Sequence, residues 1–165
     1  MRSERERKSI TKSIKLSPLQ VQQIEEKAKK NAKLAKQLNA LKLKRKMLEF
    51  ATDEYFIRQP DSTDEIVVEG QKLSHCVGGY AERHATGKLT IMFLRRKSAP
   101  DEPYYTIEVS NDYKIVQCRG YKNNWVTNGG QEKPQEIINV EKKYQQYLDG
   151  IAAKKSKTKS RRKTA

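Results

Sequence analysis

The chain has 165 residues with 35 Lys and Arg against 20 Asp and Glu, a formal net charge of +15. Its longest apolar run, Ile91–Leu94, excludes a transmembrane helix, which needs about 20 such residues. The charged segment after Met1 lacks the apolar core of a secretory signal, and two cysteines, Cys76 and Cys118, exclude a disulfide scaffold. We therefore expect one compact cytoplasmic domain with extensions, an anionic partner and no membrane contact.

The excess of positive charge lies in the two flanks of the chain. Residues 1–49 carry 15 basic and 5 acidic side chains, and residues 150–165 carry 7 and none. Between these flanks, 13 basic side chains face 15 acidic ones. The composition therefore predicts a basic flexible N-terminus over 1–16, a long basic helix over 17–50, an α+β domain over 51–150 and a disordered polybasic tail over 151–165.

The N-terminal flank contains a typical helix start. Ser17 can cap the helix, Pro18 fits its first position, and Gln20 completes a capping box. No Gly or Pro interrupts the chain from there to Phe50, and strong helix formers dominate. Acidic residues are nearly absent between positions 28 and 48, so salt bridges along the helix do not explain its lysines. A solvated surface helix or a coiled coil is the alternative to a helix that binds a polyanion.

The C-terminal flank is too polar to fold by itself. Lys154–Thr164 contains no apolar residue, so burial cannot offset the entropy of ordering the segment. Such blocks bind polyanions by releasing counterions, although a solubilising tail or a localisation signal has the same composition. From both flanks we predict the following nucleic-acid contacts: Lys29, Lys30, Lys33, Lys36, Lys42, Lys44, Arg45, Lys46, Lys154, Lys155, Lys157, Lys159, Arg161, Arg162 and Lys163.

The middle of the chain predicts an α+β domain with a three-stranded antiparallel sheet packed by helices. Connections rich in Pro, Asp and Asn favour hairpins between the strands. The predicted strands are Thr90–Arg96, Tyr104–Val109 and Lys114–Arg119, preceded by an extended segment at 65–69 and a helical pattern over 73–84, and followed by a loop at 120–133 and a helix at 134–149.

Polar side chains of this domain are predicted to meet on one face of the sheet. Alternation places Glu108 with Thr106 on one strand, and Gln117 with Arg119 on the next. Glu108 could therefore contact Gln117 or Arg119 as a cross-strand neighbour, and a structural ion pair is the alternative to a functional site. The segment 74–80 would face this cluster. Its adjacent glycines indicate a close backbone approach, and its other members include His75 and Tyr80.

Metal and cofactor sites are not predicted. His75, Cys76, His84 and Cys118 lack the paired spacing of a structural zinc site, and the cysteines are more often small buried hydrophobes. The Gly-Lys pair at 87–88 has no phosphate-loop context and indicates a turn.

Four blocks of the domain, EGQKLSHCVGGYAER, TIMFLRR, PYYTIEV and KIVQCRGYKNN, resemble the PcfJ-like family over roughly residues 69–124. Members of that family are encoded by conjugative plasmids, phages and other bacterial mobile elements, so the resemblance implies the cytoplasm of a bacterial host. This sequence departs from the family pattern at Ser74, where many members have a second histidine. The residues that carry the resemblance are His75, Cys76, Val77, Gly78, Tyr80, Thr106, Glu108, Gln117, Arg119, Gly120 and Asn124.

These observations leave three hypotheses. In the first, the chain is a nucleic-acid-binding accessory protein of a phage or other mobile element, whose flanks contact DNA or RNA phosphates while the domain gives specificity or docks a nucleoprotein. In the second, it is an enzyme for phosphodiester or nucleotide chemistry. In the third, it inhibits a host defence nucleoprotein, as an anti-CRISPR protein does. For the enzyme, His75 and Glu108 would serve as acid and base, Arg119 would hold a phosphate, and Tyr80, Gln117 and Asn124 would orient the substrate.

Overall fold

The computed structural model describes residues 16–163, and the predicted flexible N-terminus over 1–16 lies almost wholly outside them. Contacts along the chain separate residues 1–33 from a second unit of residues 34–165. The described part of the first unit is helical from Pro18 onward, and its apolar side chains are exposed. None of the described helices is long and apolar enough to cross a membrane.

Helix α1 spans Pro18–Arg45 and begins as predicted. The amide of Gln20 donates to Ser17 Oγ at 3.2 Å, and the amide of Ser17 donates to Gln20 Oε1 at 2.8 Å, which completes the capping box. The helix ends five residues before the predicted end at 50. A 3-10 turn over Lys46–Leu48 follows, and the chain then enters the sheet.

The sheet has five antiparallel strands in the described part of the chain, in the order β1-β2-β3-β4-β5. The three predicted strands are confirmed to within one residue, but the hairpin β1–β2 was missed. Its strands are only two and four residues long, and pairing with β3, where Ile57 lies opposite Leu94, fixes them. The strands are β1 Phe50–Ala51, β2 Tyr55–Arg58, β3 Thr90–Arg96, β4 Tyr105–Val109 and β5 Ile115–Arg119.

Helix α2 spans Thr63–Leu73, so the prediction of an extended segment at 65–69 is wrong. The run of β-branched residues in that segment suggested a strand, but Ser62 caps a helix by accepting from the amide of Glu65 at 3.2 Å. Ile66, Gly70 and Leu73 are buried at helical spacing, which shows that tertiary packing overrides the local preference. The predicted helix over 73–84 is a 3-10 segment, Cys76–Tyr80, followed by the short helix α3, Ala81–Ala85.

Each face of the sheet packs against its own helices. Helix α4 spans Gln135–Lys163. Met92, Ile107 and Cys118 on one face of the sheet form a core with the first half of this helix. The opposite face carries Ile91 and Phe93, which form a smaller core with Ile66, Val77 and Leu89. The fold is therefore α+β with a long helix at each end of the sequence.

Helix α4 extends through Gly150 to Lys163, beyond its predicted end at 149 and through the segment predicted to be disordered. Its buried first half removes the costly nucleation step, since a helix that already exists is extended at low cost. Ala and Lys, which dominate the continuation, are strong helix formers and offset a cost of about 1 kcal/mol at Gly150. The buried anchors are Ile137, Val140, Tyr144 and Leu148.

Candidate functional site

A cleft on the α2 side of the sheet contains five of the six predicted site residues. Its volume is about 290 Å³, part of which is open to solvent. Asn124 is the predicted residue that does not line the cleft, and Asn123 takes its place. The lining residues are His75, Cys76, Val77, Tyr80, Ile91, Thr106, Glu108, Gln117, Arg119 and Asn123.

His75 forms one wall of the cleft and is held at both ring nitrogens. Ser74 ends α2 in the left-handed conformation (φ 51°), after which His75 caps the 3-10 segment by accepting from the amide of Val77 at Nδ1 (3.4 Å). Because a backbone amide can only donate, the neutral ring carries its proton on Nε2, which lies 3.4 Å from Thr106 Oγ1. Burial lowers the pKa of His75, so the ring is neutral near pH 7.

A buried ion pair is connected to this wall of the cleft by hydrogen bonds. Glu69 and Arg95 are 1% and 2% exposed, and the guanidinium donates to both carboxylate oxygens at 3.0 and 2.6 Å. Thr106 Oγ1 also donates to Glu69 Oε1 at 3.1 Å. Hydrogen bonds thus connect Arg95, Glu69, Thr106 and His75 in series.

Sequence reasoning missed both members of this pair. The sequence does contain a signal for each. Glu69 follows Ile66 by three residues and so lies on the same face of α2, and Arg95 follows Phe93 by two residues and so lies on the same face of β3.

Glu108 contacts Gln117, which settles the open alternatives for this carboxylate. The two residues lie opposite each other across β4 and β5, and Gln117 Nε2 donates to Glu108 Oε2 at 2.7 Å. Arg119 lies opposite Thr106 on the same face. It forms no side-chain hydrogen bond or ion pair with any residue in the described range 16–163. The alternative of a structural Glu108–Arg119 ion pair is therefore wrong.

The loop after β5 is shaped by Asn124 and by three consecutive residues with positive φ. Lys122, Asn123 and Asn124 have φ of 50°, 57° and 62°. Asn124 Oδ1 accepts from the amide of Gly120 at 2.8 Å, and its Nδ2 donates to the Tyr105 hydroxyl at 3.0 Å. Each such conformation costs about 1 kcal/mol or more and persists only where its surroundings enforce it. The contacts of Asn124 thereby direct Asn123 into the cleft.

The predicted close approach of backbone occurs at only one of the adjacent glycines. A Cβ on Gly78 would lie 3.4 Å from Val67 Cα. Around a Cβ on Gly79, no atom of the described residues other than Gly79 and its two chain neighbours lies within 4 Å. A closer approach occurs at Gly70, where a Cβ would lie 2.9 Å from the amide nitrogen of Gly78. Gly70 therefore lets helix α2 lie directly against the segment that carries His75.

The two cysteines occupy different environments. Cys118 is buried on the opposite face of the sheet, and burial raises its thiol pKa to about 12, which excludes it as a nucleophile at neutral pH. Cys76 is exposed at the cleft. The catalytic roles assigned from the sequence to His75, Glu108 and Arg119 stay predictions.

Arg45 must be removed from the predicted nucleic-acid contacts because it is buried, with 5% exposure. Its Nη2 donates to the carbonyl oxygens of His84 (2.6 Å) and Leu89 (3.0 Å), and its Nε donates to Thr90 Oγ1 at 3.2 Å. Burial lowers its pKa to about 10, so it remains charged in the core. Arg45 thus joins the end of α1 to the sheet. Lys42 is half-buried, and the other predicted basic residues are exposed.

The two basic segments approach each other within the second unit. Tyr144 and Tyr147 of α4 donate to the carbonyl oxygens of Leu48 (2.8 Å) and Met47 (2.7 Å), which fixes the end of α1 beside α4. A groove of about 540 Å³ lies next to this junction, and Lys44 and Lys155 both line it.

The second unit is thus an α+β domain with a small polar cleft on one face of its antiparallel sheet and the buried half of α4 on the opposite face. The chain belongs to the PcfJ-like protein family, whose model matches residues 1–138. The match is longer than the stretch from 69 to 124 expected from the motifs. An uncharacterised protein of Listeria innocua serovar 6a is 41% identical over 89 residues, covering 53% of this chain and 19% of that protein. The chain thus spans about a fifth of the curated relative it matches. No solved structure matches it.

Proposed function

We propose that this protein binds nucleic acid, DNA or RNA, through its basic helices, as an accessory protein of a phage or another mobile genetic element. The observation that carries the proposal is the junction made by Tyr144 and Tyr147 with Met47 and Leu48. It brings together two cationic segments that lie about a hundred residues apart in the sequence. A continuous cationic surface follows one phosphate backbone better than two separate ones do.

The charge pattern of α4 supports the same proposal. Residues 151–163 contain seven Lys and Arg, all exposed, and no acidic residue. Lys155, Lys159 and Lys163 follow each other at a spacing of four, where like charges on a helix repel by a few tenths of a kcal/mol. A phosphate backbone would relieve this repulsion and release its own counterions. The basic half of α4 is therefore expected to gain helical stability on binding.

The test is fluorescence anisotropy with labelled DNA and RNA as the salt concentration is varied. Replacing Lys157, Lys159, Arg162 and Lys163 with Gln should weaken binding and reduce the log–log salt slope by about 0.9 for each duplex phosphate that the variant no longer neutralises. The matched control replaces Lys142 and Lys143, exposed residues of the same helix before its basic half, with Gln. Binding that does not depend on salt, or a fourfold variant that binds as tightly as the control, would overturn the proposal.

A further inference from the structure

The cleft holds two opposite charges that share a face of the sheet without pairing. Glu108 Oε2 accepts from Gln117, while Glu108 Oε1 and the Arg119 guanidinium have no partner within the described residues. Their strands are adjacent and their Cα positions are diagonal neighbours, so the gap between them is fixed by the sheet. A ligand edge that donates to the carboxylate and accepts from the guanidinium would fill this gap.

The size and walls of the cleft narrow the ligand class. The cleft has a volume of about 290 Å³, part of it open to solvent, so one edge of a flat ring can enter while the rest of the ligand stays outside. Val77, Ile91 and Tyr80 supply apolar surface beside the polar groups. A phosphate is disfavoured because Glu108 would repel it, and a simple cation is disfavoured because Arg119 would. The edge of a nucleobase carries donors and acceptors side by side in one plane.

We propose that the cleft binds the edge of a guanine base in a single-stranded nucleic acid. Guanine is the base with two adjacent donors, N1–H and the N2 amine, beside the acceptors O6 and N7. Glu108 would accept from the two donors, and Arg119 would donate to the two acceptors, which is the commonest specific base contact of arginine. This inference rests on the proposed function and gives the central domain the role of reading sequence.

The surroundings of the cleft fit this use. Asn123 enters it from a loop whose conformation Asn124 fixes, so the site is formed before a ligand arrives. Outside the cleft, the same loop holds Tyr121 and Trp125 with 46% and 54% of their surface exposed. Lys122 Nζ lies 5.4 Å from the centre of the Tyr121 ring. Exposed aromatic rings beside a lysine are the groups on which unpaired bases stack, each stack contributing about 1–3 kcal/mol.

The test uses oligothymidine strands, and their oligouridine counterparts, that carry one central guanine, inosine, 7-deazaguanine, adenine or cytosine. At one fixed salt concentration, anisotropy should show about tenfold tighter binding of the guanine strand than of the unsubstituted strand. Inosine lacks the N2 amine and 7-deazaguanine lacks N7, so each should lose part of this preference. These analogues leave the protein unchanged, which keeps the test independent of folding.

Variants assign each contact to its side chain. Glu108→Gln should abolish the preference for guanine over inosine, and Arg119→Gln should abolish the preference for guanine over 7-deazaguanine. Lys88→Gln, an exposed charge outside the cleft, is the control and should change neither.

The outcomes separate the two proposals. Equal binding of all strands with a normal salt slope would overturn base reading and leave phosphate binding intact. A preference for cytosine or adenine would overturn the assignment to guanine. Binding to none of the strands, together with a flat salt dependence on duplex DNA, would overturn the proposed function itself.

Discussion

The buried pair Glu69–Arg95 allows a quantitative test of how the cleft wall is supported. Glu69 accepts two hydrogen bonds from Arg95 and one from Thr106, and both charged groups are withdrawn from water. Replacing Glu69 with Gln keeps the shape but removes the charge and turns one acceptor into a donor facing the guanidinium. Removing one partner of such a pair leaves a buried charge uncompensated, which typically costs about 3–5 kcal/mol. We expect Glu69→Gln to fall in this range.

The double substitution Glu69→Leu with Arg95→Met should cost much less than either single change. Burying two apolar side chains of similar volume avoids the cost of removing two charges from water, so replacing a buried ion pair in this way often leaves the folded state equally stable or more stable. Urea unfolding followed by circular dichroism gives the free energy of unfolding for each variant, and an unchanged slope against urea shows that the folded state stays compact. The control is Glu102→Gln, which breaks the exposed Arg96–Glu102 pair and should cost about 0–1 kcal/mol.

Additive changes in the free energy of unfolding would contradict the interpretation of Glu69 and Arg95 as a coupled pair. If Glu69→Leu and Arg95→Met each cost a small amount and their effects sum to that of the double variant within about 0.5 kcal/mol, the two groups do not act as a pair.

Three further predictions follow from other buried contacts. Arg45→Ala should lower the free energy of unfolding by about 2–4 kcal/mol because it removes three buried hydrogen bonds, whereas the exposed neighbour Lys44→Ala should stay within about 0.5 kcal/mol in the same urea titration. Burial and the nearby Arg45 charge lower the pKa of His84 from 6.5 to about 3, so the unfolded chain takes up this proton first as the pH falls. The contribution of neutral His84 to the free energy of unfolding is complete above pH 6.5 and is lost towards pH 3, at about 1.4 kcal/mol per pH unit. His84→Gln should remove this part of the pH dependence, and identical plots of unfolding free energy against pH for the two proteins would contradict the prediction. Gly120→Ala would place a Cβ 2.9 Å from a buried tyrosine ring and should lower the melting temperature by an amount that corresponds to about 1–3 kcal/mol, while Gly79→Ala should change it little.

The strands that carry the candidate site were predictable because their signals are local. The apolar run within Thr90–Arg96 predicted the first of these strands, and alternation in the two strands after it predicted which side chains share a face. Placing Glu108 with Arg119 on one face was therefore correct, and the contact of Glu108 with Gln117 was among the alternatives.

The missed features depend on distant partners. The hairpin β1–β2 is fixed by its pairing to β3, and helix α2 overrides a β-branched run because its buried face packs against the sheet. The charge of Arg45 indicated a surface contact, but its partners lie some forty residues away. The basic half of α4 is helical because a buried half precedes it, and composition alone does not show this.

The buried pair Glu69–Arg95 also allows a test of whether the cleft binds guanine. A hydrophobic pair in place of Glu69 and Arg95 would keep the fold stable, so stability alone does not explain a buried ion pair there. The pair does orient Thr106, which lies opposite Arg119 and against His75. The double variant Glu69→Leu with Arg95→Met should therefore unfold normally and keep its salt-dependent binding, yet lose the preference for guanine. A double variant that still distinguishes guanine from inosine would show that the ion pair is structural and that the cleft is held in shape by its other contacts.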